Sequence, residues 1–221
     1  VGTELSRTLG QPVVVENKPG AGGTIAMAEV ARSAPDGYTL SFASQGTLVF
    51  NQALYDKPGY DSLKDFATIR FAGGVSNVMI VPPAAAVARP ADVVAQAQAR
   101  PDTLTFSSGG SGTSHHLSGV LFAQMTGTRL IHVPYKGAPQ GILAVMSAPD
   151  IPTLDELGVK GYEVNTWFGF VSRAGTPAEI IQKLHTEIGK VLDEPALRTR
   201  LGQQGFELAP AITPAAFAKI V

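Results

Sequence analysis

The chain contains no cysteine among its 221 residues. A disulfide framework, a thiol nucleophile and a thiolate-ligated metal are therefore excluded. An oxidising compartment suits a chain without thiols, although many reduced-compartment proteins also lack them. Charge is scarce as well: Asp, Glu, Lys and Arg make up 16% of the residues, and the formal net charge is -1. Such a balance gives no electrostatic reason to bind nucleic acid or an anionic membrane. No apolar run approaches the ~20 residues of a membrane span. No signal peptide is evident, and the chain opens on Val1 without Met, as a mature or trimmed product would. Histidine is limited to four residues. His115 and His116 are adjacent, so on a helix they point about 100° apart and cannot jointly grip a metal.

What is present is apolar material, at 44% of the residues. That supplies one large core or two small lobes and argues against disorder. Val1, Leu5 and Leu9 share a helical face, with Gly10 at the C-cap position. Val13-Val14-Val15 reads as a short buried parallel strand. A glycine-rich turn at 19–23 precedes a helix over 24–32, and Pro35-Asp36-Gly37 is a turn before a strand over 38–43. Strands are expected at 78–81, 104–106, 130–133 and 166–171, and helices at 90–99 and 114–125. The helix at 114–125 is expected to bury Leu117, Val120, Leu121 and Met125. Thr176-Pro177-Ala178-Glu179 has a capping-box pattern. It opens a long helix with Ile180, Ile181, Leu184, Ile188, Val191 and Leu192 as its buried stripe. Pro195 and Pro214 start two more helices. Alternating strands and helices imply an α/β protein with parallel sheet.

Three loops repeat one logic of strand, Gly/Ser/Thr turn and helix: 20–24, 44–47 and 107–114. In open α/β sheets ligands sit beyond the carboxyl ends of strands. Helix N-termini there offer N–H groups and a favourable dipole, and hydroxyls add donors, so a carboxylate is the natural guest. Any single loop of this kind is also what an ordinary capped turn looks like. The 107–114 stretch exceeds that, with five hydroxyl residues and three glycines in eight positions. Sharper motifs fail. Ile25 stands where a dinucleotide fingerprint needs glycine, no Lys follows Gly112 as a P-loop requires, and Thr113 breaks G-x-S-x-G. A Ser108 or Ser111 nucleophile with His115 as base is an alternative reading, but no acidic residue lies nearby in sequence to orient the histidine. Lys136 is either an anion partner or a solvated turn residue, and Tyr135 packs at a rim. Trp167, the sole tryptophan, reads as core.

Several ordered segments resemble the Bug family, the TctC-like substrate-binding proteins of tripartite tricarboxylate transporters. These are Val15-Glu16-Asn17-Lys18-Pro19-Gly20-Ala21-Gly22-Gly23, Ala34-Pro35-Asp36-Gly37-Tyr38-Thr39-Leu40, Ser108 to Leu117 and His132-Val133-Pro134-Tyr135-Lys136-Gly137. Asp150-Ile151-Pro152-Thr153-Leu154, Gly161-Tyr162-Glu163, Trp167-Phe168-Gly169 and Ala174-Gly175-Thr176-Pro177 complete the likeness, which spans nearly the whole chain. The resemblance implies an α/β type II periplasmic-binding-protein fold, with two lobes around a ligand cleft. Residues 1–101 plus 166–221 are expected to form one lobe and 102–165 the other. It implies periplasmic capture of a small carboxylate by a monomer, as a di- or tricarboxylate, acidic amino acid or aromatic acid. The partners implied are one large and one small membrane permease subunit. It implies no catalysis, no cofactor and no metal. The contacts it implies are Ser44, Gln45, Thr47, Ser108, Gly112, Thr113, His116 and Lys136. Two departures stand out. The family's first strand and its Pro-x-Gly-Gly-x-x-Asp loop precede the point where this sequence begins. A βαβ-sized unit of ~30 residues is expected, and not found, between Ser147 and Ala148. Two other function classes compete: a serine hydrolase using 107–114, and the effector-binding domain of a regulator. The latter needs a basic DNA-recognition helix that the sequence does not carry.

Overall fold

The computed structural model describes residues 1–81, 89–145 and 165–221. The junction at Ser147 lies outside the described residues. Contacts divide the chain into two compact units, Val1–Pro19, Gly23–Val75 and Thr166–Val221 in unit 1, and Gly20–Gly22 with Ser76–Asn165 in unit 2. Segment 76–101, expected above in the first lobe, groups with unit 2. The chain leaves unit 1 when its long strand ends at Ser76, and Asn77 Nδ2 then donates to Ser118 Oγ at 2.7 Å.

Unit 1 begins with helix α1 (Gly2–Leu9), ended by Gly10 at φ 65 as its sequence predicts. Helix α2 (Thr24–Arg32) follows, then strand β1 (Leu40–Ser44), a π-helical turn (Gly46–Phe50) and the short helix α3 (Asn51–Leu54). Strand β2 (Phe66–Ser76) was not foreseen. Its run Phe66-Ala67-Thr68-Ile69-Arg70 carries a charge and no clean alternation, which hides the period of two. Unit 2 supplies α4 (Pro90–Ala99), β3 (Thr105–Ser108), α5 (Ser114–Thr126), β4 (Ile131–Pro134) and α6 (Ala138–Val145). The chain returns to unit 1 through β5 (Asn165–Arg173), α7 (Ala178–Leu192), α8 (Pro195–Gln203), β6 (Phe206–Leu208) and α9 (Pro214–Ala218).

Among the described residues the unit 1 sheet runs β1-β5-β2-β6, and unit 2 pairs β3 with β4. The expectation of parallel sheet holds for β3 and β4, where Phe106 faces His132 and Ser108 faces Pro134. β1 with β5, and β2 with β6, are antiparallel. β5 re-enters unit 1 after the whole of unit 2, so no short right-handed crossover dictates its direction. Two further expectations fail. Residues 13–15 and 78–81 belong to no strand, and Val14 and Val15 are exposed at 79% and 69%.

Strand β5 separates two apolar clusters, because successive side chains point to opposite faces. Phe170 joins Leu5, Ile69, Leu184, Ile188, Val191, Leu192 and Leu197. Val171 joins Met27, Ala28, Ala43, Leu48, Tyr60 and Phe217. The α7 stripe is as the sequence predicts, with Ile180 and Ile181 only partly buried at its start. Each fully buried aliphatic there contributes about 1.5–3 kcal/mol. The capping box expected at Thr176 is absent. Pro177 is the N-cap residue, and the Thr176 hydroxyl donates back to the Arg173 carbonyl. Gly37, at φ +80, turns the chain before β1 where a Cβ would lie 2.4 Å from Ile180 Cγ2.

Candidate functional site

The candidate loops fall on both units. In unit 1 β1 runs directly into the π-helical turn, so residues 44–47, expected as a loop, begin a helical segment. Ser44 and Thr47 close it by a reciprocal box. The Ser44 N–H donates to Thr47 Oγ1 (3.0 Å), the Thr47 N–H donates to Ser44 Oγ (3.3 Å), and the Thr47 hydroxyl donates to the Ser44 carbonyl (2.9 Å). The Tyr60 hydroxyl donates to the Thr47 carbonyl. Burial pushes the Tyr60 phenol up to about 12. Thr47 is buried, and its Cγ2 would lie 2.7 Å from a Cβ at Gly23. Its hydroxyl therefore shapes the turn. Gln45, half-buried at the turn's N-cap, has no side-chain hydrogen bond among the described residues.

In unit 2 strand β3 delivers Ser107 and Ser108 to a turn with two residues in the left-handed region, Gly110 at φ 123 and Gly112 at φ 82. Ser108 is buried. Its Oγ accepts the Gly110 N–H (3.1 Å), donates toward the Gly110 carbonyl (3.2 Å) and lies 2.7 Å from His132 Nε2. The Thr113 hydroxyl donates to the Gly110 carbonyl (2.6 Å) and accepts the His116 N–H (3.4 Å), which caps α5 as its sequence position predicts. The Gly112 N–H donates to His116 Nδ1 (3.3 Å). The His116 ring stacks on His132 with centroids 4.2 Å apart, and His132 stacks on Phe106 at 4.9 Å. Burial holds both imidazoles below the ordinary histidine range, and for His132 the neighbouring His116 adds to it. Lys136 is exposed in the turn after β4 and has no carboxylate partner among the described residues.

The structure thus brings Ser108, Gly112, Thr113 and His116 together within unit 2, and Ser44, Gln45 and Thr47 within unit 1. His132 and Asn77 are the residues that sequence reasoning missed. His132 stands in the same motif as Lys136, and its position opposite Phe106 becomes evident only from the β3–β4 register. Asn77 carried no signal. Helix α5 also departs from expectation. It buries Ser114, Ser118 and Phe122, while Val120 and Met125 are exposed at 45% and 48%. Ser118 donates to the Ser114 carbonyl and accepts from Asn77, so a hydrogen-bonded small-residue face takes the inward position in place of the apolar one.

The serine-hydrolase alternative gains no support. Ser108 meets His132, not His115, yet Ser108 is buried and its oxygen is already held by Gly110. Among the described residues no Asp or Glu hydrogen-bonds His132 or His116 to orient a base. No cluster of metal-ligating side chains occurs among them either.

The family model of the tripartite tricarboxylate transporter family receptor, TctC, matches residues 1–148 and 145–213. The chain belongs to that family. A relative from Cupriavidus necator, the "UPF0065 protein in gbd 5'region", is 35% identical over 93% of this chain and 72% of its own length. Three solved structures each match 99% of the chain. Rpa4515 of R. palustris with adipate has a TM-score of 0.91 at 28% identity over 85% of its chain. The periplasmic binding protein BugD gives 0.89 at 27% over 85%. MatC from Rhodopseudomonas palustris with bound malate gives 0.86 at 26% over 87%. The fold of this TctC-family chain is therefore the α/β periplasmic-binding-protein fold, and its role is that of a solute-binding protein. No helix among the described residues is long and apolar enough to cross a membrane.

Proposed function

We propose that this chain is the periplasmic solute-binding component of a tripartite tricarboxylate transporter. It captures a small carboxylate and hands it unchanged to membrane permease subunits. The observation that carries the carboxylate reading is the chemistry at the helix starts. α1, α4 and α7 each hold an acidic residue in the first turn, Glu4, Asp92 and Glu179. α2, the π-helical turn and α5, which follow the candidate loops, hold none. α3, α6, α8 and α9 share that absence, so it is the hydroxyl- and glycine-rich approach that sets these loops apart. Unneutralised N–H groups at a helix start favour an anion. The adipate and malate complexes of two relatives fit that class. Within unit 2 the Gly112–Thr113 turn and Lys136 are proposed anion contacts, and within unit 1 Gln45 is proposed as one. Ser44, Thr47 and Ser108 are proposed to act by shaping their loops. Periplasmic location is supported by the BugD likeness and by the lack of cysteine.

Thermal unfolding with malate, adipate, citrate, aspartate and benzoate tests the reading. A ligand at 100 times its Kd adds about 2.7 kcal/mol, or roughly 5–10 °C in a chain of this size. No shift with any of these acids, or turnover of an ester substrate, would overturn it.

A further inference from the structure

We propose that His116 is a positioning residue. Its unprotonated Nδ1 latches the Gly112 N–H and so holds the 110–113 turn in the shape that presents the start of α5, and protonation of that nitrogen releases the turn. The inference rests on the carboxylate reading only for its consequence in binding.

The geometry assigns the proton. A backbone N–H can only donate, so the contact at 3.3 Å requires a lone pair on Nδ1. Gly112 is buried, and a buried N–H without an acceptor is costly. The imidazole cannot swing away to accommodate a change, because its face is covered by His132 at 4.2 Å and His132 is backed by Phe106. His132 also reaches the other end of the turn, with Nε2 2.7 Å from the Ser108 oxygen that holds Gly110. Two stacked rings therefore brace both ends of one glycine-rich turn. A proton on His116 Nδ1 would set N–H against N–H inside this brace. β3 packs against β4, α5 and α6, and α5 also packs against β4. Among their residues and the turn after β4, the other titratable groups are His115, Tyr135 and Lys136, while β3 and α6 carry none. No carboxylate there compensates an imidazolium at His116.

Burial lowers His116, so the latched form is complete above the ordinary histidine range near ~6.5 and is lost as pH falls below it. The direct test is 15N NMR on the ligand-free chain. The Gly112 amide is expected to shift and lose exchange protection in step with the His116 titration, and the His116 ring is expected to carry its neutral-form proton on Nε2. His116→Asn places an amide oxygen near the Nδ1 position and is expected to keep Gly112 protected at every pH. His116→Leu removes the acceptor and is expected to leave it unprotected throughout. Malate affinity of the wild type is expected to fall about five-fold relative to His116→Asn between pH 7.5 and a pH below the observed His116 titration, the worth of one hydrogen bond. A Gly112 amide indifferent to the His116 titration overturns the latch. So does a ring proton on Nδ1, or equal loss of malate binding in both variants with Gly112 still protected. If Gly112 titrates as expected while no carboxylate binds, the latch stands and the carboxylate reading falls.

Discussion

The two units hold their candidate loops by different means. In unit 1 the Ser44–Thr47 box is flanked by Ala43 and Leu48 of one apolar cluster, and Ile69, Val171, Ile188, Val191 and Phe217 of the unit's two clusters are fully buried. In unit 2 the buried apolar side chains among the described residues are Pro90, Ala97 and Phe122, accompanied by Ser108, Ser114, Ser118 and Thr128. Unit 1 is therefore stabilised mainly by water exclusion, which is insensitive to direction and to pH. The unit 2 loop depends on directed hydrogen bonds, which depend on who carries the proton. Substitutions should accordingly change global stability in unit 1, and ligand capture with only modest stability loss in unit 2.

The sharpest break of that contrast is at Phe217. Its ring meets Phe71 at 5.5 Å and Trp167 at 5.7 Å with no exposure. Phe217→Ala is expected to cost about 3–5 kcal/mol in denaturant unfolding. A loss below 1 kcal/mol would show that unit 1 does not rest on this cluster. Ser108→Ala removes the oxygen shared by Gly110 and His132. It is expected to cost about 1–3 kcal/mol and to weaken malate binding at least ten-fold by calorimetry. Intact binding would sink the role assigned to the turn.

Tyr60→Phe is a smaller change, costing about 1 kcal/mol for the lost bond to Thr47. It also tests pH dependence. A phenol raised by burial leaves the fold fully stable below the ordinary tyrosine value near ~10 and costs stability as pH rises through about 12. Absorbance titration is expected to show a phenol ionising near about 12, with that step missing in the variant. The smallest effect is expected at the Arg173–Asp65 pair, 3.1 Å apart with both side chains 30% exposed. Arg173→Met is expected to change stability by about 0–1 kcal/mol, less at high salt.

Much of the scaffold is legible along the chain. The α1 end at Gly10, the α7 stripe and the Pro-led helices at 195 and 214 follow local rules that neighbours in sequence enforce. β2 was hidden because both of its faces are covered by distant segments, and Arg70 interrupts its apolar run while bonding His185 on α7. The Val13–Val15 run misled for the converse reason, since β-branched composition signals a strand only when a partner edge pairs with it. The inward face of α5 was misjudged because Asn77, from another segment, satisfies the hydroxyls that face carries.

Taken alone, the sequence determined the family's fold and the glycine- and hydroxyl-rich turns that form the candidate loops. Glycines that permit left-handed turns, hydroxyls before helix starts and the absence of cysteine are local or compositional properties. Only the tertiary structure decided which of those hydroxyls are already used within the chain, and that His132 rather than His115 stands beside Ser108. Those outcomes depend on strand register, which joins residues 24 positions apart, as it does Ser108 and His132, through backbone pairing that no local pattern encodes.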